Sequence, residues 1–150
     1  MLQTVTLMCW QGVDMGRQGL YNSRMDKKIL LNNLRFQTVR IWSTLCEIYT
    51  PLVHHNEPKI ELNPYFYRTA GSCFQPENRI ELGYKFFKSN KENYDYMMKV
   101  ILPHEIIHQA DFDLFGESEK KCGHGEKWCE IMVKYGLEAN PFHSMWISKK

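Results

Sequence analysis

At 150 residues the chain has the length of one ordinary domain, enough to bury a substantial core. Its 43% hydrophobic and 24% charged residues, net charge of +2 and lack of repeats exclude a disordered polyelectrolyte or a solenoid. Five scattered cysteines (Cys9, Cys46, Cys73, Cys122, Cys129) with no CxxC pair argue against a disulfide framework and for a reducing compartment, with the cytoplasm as the default.

Residues 1–10 are apolar but lack a basic leader and are too short to span a bilayer. They read as a helix or strand, and no membrane partner is expected. Over residues 25–49, Ile29, Leu30, Leu34, Ile41, Leu45 and Ile48 recur near helical spacing, with Asp26 close to the start and Pro51 as the stop. Two short segments, 59–62 and 79–82, alternate polar and apolar residues and are expected to pair as a small antiparallel sheet. A strongly apolar helix follows, carrying Met97, Met98, Ile101, Leu102, Ile106, Ile107 and Ala110, with Pro103 at a first-turn position where its missing N–H costs little. Residues 112–122, with Gly116, Ser118 and a run of charges, read as an exposed connection. A last helix begins near Glu126, with Trp128, Ile131, Met132 and Tyr135 on one face and Gly136 to end it.

The segment His104-Glu105-Ile106-Ile107-His108 carries the chemistry. On a helix, residues i and i+4 share a face, so two imidazoles there can reach one ion at about 2.0–2.1 Å. Glu105 lies about 100° further round, badly placed as a ligand and well placed as a general base toward water beside the ion. The pattern arises in a shuffled chain of this composition about once in fifty, so its setting has to support it. That setting is apolar, and a buried pair of histidines beside a carboxylate needs something to satisfy it.

A third ligand has to come from elsewhere, and His124, flanked by Gly123 and Gly125, is the preferred one because glycines let backbone approach an ion. Asp111, one turn beyond His108, is an alternative that suits better the orientation of a ligand ring, and Cys73 or Cys122 could supply a thiolate. An open fourth position on zinc would hold water and support hydrolysis of an amide bond. His143, Tyr135 and Tyr67 are candidates to stabilise the oxyanion, none of them assigned.

Residues 57–145 resemble the SprT-like zinc metallopeptidases, a family that includes the bacterial SprT proteins and the eukaryotic protease Spartan. The resemblance is carried by Pro58-Lys59-Ile60, Arg68-Thr69-Ala70-Gly71, Arg79-Ile80-Glu81-Leu82, the HExxH segment with Pro103 before it, His124-Gly125-Glu126-Lys127-Trp128 and Phe142-His143-Ser144-Met145. It implies an α+β, zincin-like metalloprotease domain, with His104, His108 and His124 as zinc ligands and Glu105 as the catalytic glutamate. The expected organisation is a single domain over 1–150, with a helical part at 1–56 and the catalytic core at 57–145. The Cys-rich zinc ribbon that follows the protease region in bacterial SprT proteins is not expected here.

The expected function is therefore zinc-dependent proteolysis, with protein substrates that the resemblance extends to DNA-associated or DNA-crosslinked proteins. Charge gives DNA as a partner only weak support: residues 1–50 hold six Lys/Arg against three acids, a mild bias that a solvated helix face explains better than the dense basic stripe of a DNA-handling surface. Two alternatives stay open. One is a deformylase-like hydrolase of small amides using Cys73 or Cys122 as third ligand, and the other is a binding module whose metal only holds the fold.

Overall fold

In the computed structural model the described residues are 26–117, 123–145 and 147. The apolar segment at 1–10, Cys9 and Cys122 lie outside them. The first helix, α1 (Lys27–Ile48), starts where Asp26 caps it by accepting a hydrogen bond from the Lys28 backbone N–H at 2.8 Å. Leu30, Leu34, Ile41, Trp42 and Leu45 form its buried face. Pro51 lies in the 3-10 turn Thr50–His54, so the α-helix closes earlier, with Tyr49 already in extended backbone.

The chain then enters a three-stranded sheet made of β1 (Lys59–Asn63), β2 (Gly71–Phe74) and β3 (Arg79–Gly83), in the order β1-β3-β2. The sheet is mixed, which corrects the antiparallel expectation. Strand β1 runs parallel to β3, with Lys59 opposite Arg79 and Leu62 opposite Leu82, while β2 is antiparallel to β3. The extra strand explains the change. A reversal between β1 and β2 and a second one at Gln75–Asn78, where Asn78 takes left-handed backbone (φ 50), leave β3 running the same way as β1. All four residues of β2 are half-buried, so it carries no alternation by which to detect it. In β1 and β3, Ile60, Leu62, Ile80 and Leu82 point into the core. Arg79 lies between Glu77, Glu81 and Glu61, at 2.8, 2.6 and 3.5 Å, and over the ring of Phe74.

Two short helices, α2 (Tyr84–Ser89) and α3 (Lys91–Tyr96), lead through a π turn (Met97–Ile101) into α4 (Leu102–Phe115), which packs on α1, β2 and α5 (Glu126–Tyr135). Pro103 is thus not at a free helix start, because helical backbone continues upstream of α4 through Ile101 (φ −68, ψ −47). The π turn, closed by the Leu102 N–H on the Met97 carbonyl, widens the helix where a proline ring would clash with the preceding turn. Phe86, Phe87, Tyr94, Ile106, Ile107, Trp128 and Ile131 fill the centre. No described helix is long and apolar enough to cross a membrane.

Gly136 ends α5 with φ +105 and has open space where a Cβ would stand. Gly136→Ala therefore isolates backbone strain, and denaturant unfolding should show a loss of about 1 kcal/mol.

Candidate metal centre

Helix α4 places His104 and His108 one turn apart on the same face, both buried, while His124 approaches from the segment just before α5. Their Nε2 atoms form a nearly equilateral triangle: 3.2 Å from His104 to His124, 3.2 Å from His104 to His108 and 3.0 Å from His108 to His124. Among the described residues these three form the one cluster able to hold a metal ion. Each Nε2 has a single in-plane lobe, so ring protons could satisfy at most one of the three contacts with a linear bond. Burial and the neighbouring rings lower the pKa of His104 to about 4 and of His108 to about 2, and burial lowers that of His124. The rings therefore stay neutral near pH 7 and turn lone pairs toward a common point. Donors bonded at 2.0–2.1 Å on one face of a tetrahedron would be about 3.3 Å apart, so this triangle fits a first-row ion.

Trp128 supports all three rings. It is wholly buried, stacks on His108 with centroids 5.2 Å apart and planes 19° apart, and meets His104 and His124 edge-on at 4.8 and 4.6 Å. The spacing His124-Gly-Glu-Lys-Trp128 delivers a ligand and this platform from one helix start, a role that reading Trp128 as a core residue misses. Of the two glycines beside His124, Gly123 is the constrained one (φ +71), and it packs on the His108 ring. Gly125 has ordinary extended backbone.

Glu105 is buried at the edge of the triangle, with Oε1 4.0 Å from His104 Nε2, and desolvation raises its pKa to about 8. Gly71, the first residue of β2, makes room for it. A Cβ there would come within 2.8 Å of Glu105 Cγ and 3.0 Å of Oε1. The glycine of the Thr69-Ala70-Gly71 turn is thus required by a close approach rather than by a turn angle.

Gln109 is also buried and ties this helix to the sheet. Its side-chain amide donates to the Gln75 carbonyl (3.1 Å) and to Asp113 (3.0 Å), and its oxygen accepts from the Cys73 thiol (3.6 Å). Gln75 in turn donates to the His108 carbonyl at 2.9 Å. The two glutamines fix β2 against the face of α4 that carries the histidines, and no sequence motif marks them.

Of the rival ligands, Cys122 lies outside the described residues, and Cys73 and Asp111 are not part of the cluster. Cys73 lines the cleft, but its thiol is engaged with Gln109, and burial with the nearby Glu105 and Asp113 pushes its pKa far up. Asp111 is buried and, among the described residues, makes no hydrogen bond to a ligand ring, so the ring-orienting role considered for it is not found. Tyr135 is packed in the core. His143 lines the cleft and donates through Nε2 to the Arg68 carbonyl at 2.9 Å; Tyr96 lines it as well, whereas Tyr67 does not. The cleft, about 380 Å³, opens over the histidines and Glu105, with β2 and its leader on one side and residues 140–143 on another.

The class is that of a mixed α+β fold in which three convergent histidines that could hold a metal ion lie with a buried glutamate beneath a cleft. The comparisons give it a family. The SprT-like family model matches residues 42–144, and the chain belongs to that family. The match begins inside α1, upstream of the motif-bearing stretch at 57–145. Protein SprT of Shewanella oneidensis is 30% identical over 78 residues, covering 51% of this chain and 46% of that protein. Protein SprT of Vibrio atlanticus is 29% identical over 82 residues, covering 54% and 46%. The chain thus spans about half the length of the curated relatives it matches. No solved structure matches it significantly.

Gly71→Ala would force Glu105 or β2 to move, and unfolding should show a loss of about 1–3 kcal/mol, as for other overpacked sites. Glu105 also sets a pH dependence for the metal-stripped protein. Below its ordinary pKa of 4.5 it is protonated folded or unfolded; between 4.5 and about 8 only the fold keeps the proton, so stability falls as pH rises, by up to about 1.4 kcal/mol per unit. Glu105→Gln removes that penalty. Melting temperatures of the chelator-treated proteins should diverge from pH 5 to pH 8 in favour of the variant, and a constant gap would contradict the burial argument.

Proposed function

We propose that the chain is a zinc-dependent peptidase of zincin type, with His104, His108 and His124 as metal ligands and Glu105 as the proton carrier. The observation that carries this reading is the buried carboxylate of Glu105, 4.0 Å from one of three convergent ring nitrogens, facing an open cleft. Three neutral imidazoles suit zinc and leave one coordination position free. Zinc held there would polarise the scissile carbonyl and make the attacking water more acidic. Glu105 takes the proton of that water and passes it to the leaving amine. Its high pKa in the metal-free site suits the second half of that exchange, and a nearby cation would favour the carboxylate needed for the first.

Strand β2 is a sheet edge that lines the cleft. An extended substrate can add to such an edge through backbone hydrogen bonds, which any sequence offers. Protein substrates follow more naturally than small amides: the small-amide reading drew on Cys73 or Cys122 as third ligand, and His124 takes that place in the cluster of three histidines. Proteins held on or crosslinked to DNA are the substrates that the resemblance to Spartan suggests, as in DNA-protein crosslink repair, and the exposed Lys27, Lys28 and Arg35 of α1 are the basic residues nearest to that role.

Metal analysis joined to a cleavage assay on a loosely folded protein, with and without DNA, tests the reading. The wild type should carry about one zinc per chain and cleave. Glu105→Gln should keep the zinc and lose at least about 10³-fold in rate, and His124→Ala should lose the metal. A zinc-loaded wild type that cleaves nothing would favour a metal that only holds the fold.

A further inference from the structure

Helix α4 carries a second stripe beside the two histidines. Glu105, Gln109 and Asp113 follow one another at one-turn intervals, on the side of the helix that meets β2. Cys73 of β2 lies near all three: its thiol donates to Gln109, and burial and then the charges of Glu105 and Asp113 push its pKa far up. Strand β2 is held at two points along that stripe. Its first residue, Gly71, abuts Glu105, and just past its last residue the Gln75 carbonyl accepts from the Gln109 amide at 3.1 Å.

Gln109 is 1% exposed, so each of its two N–H groups needs an acceptor inside the protein. The Gln75 carbonyl supplies one and Asp113, at 3.0 Å, the other. A carbonyl and a carboxylate only accept, so the amide cannot turn end for end without setting its oxygen against two others. Asp113 is itself mostly buried, and His55 Nδ1 stands 3.8 Å from its second oxygen. His55 is set there through its carbonyl, which accepts from Trp42 Nε1 of α1 at 3.2 Å. Burial pushes the pKa of Asp113 up, while the Gln109 bond and His55 pull it down.

We infer that Asp113 is a positioning residue for substrate: acting through Gln109, it fixes the β2 edge over the metal centre and so sets the affinity for an extended chain that pairs with that edge. The inference rests on the peptidase reading and on the addition of substrate to β2. Neither Asp113 nor Gln109 lines the cleft, whereas Gln75 does, so any effect of Asp113 on substrate has to pass along these bonds. Without Asp113 one buried N–H of Gln109 loses its acceptor, and the amide regains one only by leaving Gln75 or by drawing in water. Either change frees the end of β2, whose outer N–H and C=O groups then no longer hold a fixed register for a second strand. His104 and His108 project from the neighbouring stripe of α4, so the metal centre itself is spared.

The test uses the full zinc-loaded chain and two fluorogenic peptides that share one cleavable bond. One, of about ten residues, is long enough to pair with Gly71–Phe74, and the other, of about three, is too short to do so. Asp113→Ala should raise KM for the long peptide at least about threefold, keep kcat within about twofold and leave the short peptide unaffected. Asp113→Asn, whose amide oxygen can still accept from Gln109, should recover most of that loss. Gln109→Met, close in volume and unable to bond, should match Asp113→Ala, and the double variant should be no worse than either alone, as for residues acting in series. Kd for the long peptide, read by fluorescence anisotropy on zinc-loaded Glu105→Gln protein, should follow the same order across these variants. Asp113→Ser, too short to reach Gln109, takes the place of the alanine variant if that one does not fold, with the same expectation. KM and Kd unmoved by the loss of Asp113, equal losses with both peptides, or additive losses in the double variant would overturn the inference and leave the peptidase reading intact. A wild type that binds the long peptide and cleaves neither would overturn the peptidase reading, and the Kd series would still decide the role of Asp113.

Discussion

Three ring nitrogens held 3.0–3.2 Å apart form an arrangement that hydrogen bonding alone does not satisfy. Burial keeps the rings from taking up protons, so their lone pairs face one another across a gap with the dimensions of an ion's coordination face. Much of the surrounding structure keeps those nitrogens in place. Trp128 sets the planes of the rings, Gly123 lets the chain turn against His108, and the packing of α4 on α5 brings His124 to the other two.

A second set of contacts joins the metal centre to the sheet. Gln109 donates to the Gln75 carbonyl and Gln75 donates to the His108 carbonyl, so the residue just after β2 is tied to the helix that carries His104 and His108. Gly71 lets that strand come close enough for Glu105 to lie under it. A catalytic constellation loses rate when displaced by about an ångström, and buried amide bonds of this kind are how a fold holds such a tolerance.

The helical run from α3 into α4 also contributes to the lining of the cleft. A π turn between Met97 and Ile101 precedes Pro103, and Tyr96 before it and Val100 within it line the cleft. Widened turns occur often at functional sites because they alter side-chain direction without ending the helix. Here Val100 and Ile101 of the turn line the cleft close to His104.

The sequence by itself determined the local parts. Helical periodicity located α1, α4 and α5, alternation located β1 and β3, and the i, i+4 spacing paired His104 with His108, because each of these signals is a repeat that the backbone geometry imposes on neighbouring residues. The glycines around His124 singled out that residue for the same local reason. Tertiary structure decided what depends on contacts between distant segments. Strand β2 had no periodicity to reveal it, being half-buried throughout, and with it went the direction of the sheet. The bonds of Gln109, the contact of Gly71 with Glu105, the stacking of Trp128 and the desolvation that silences Cys73 all join residues far apart in the chain. Such contacts arise from packing, and packing leaves no repeat in a single sequence.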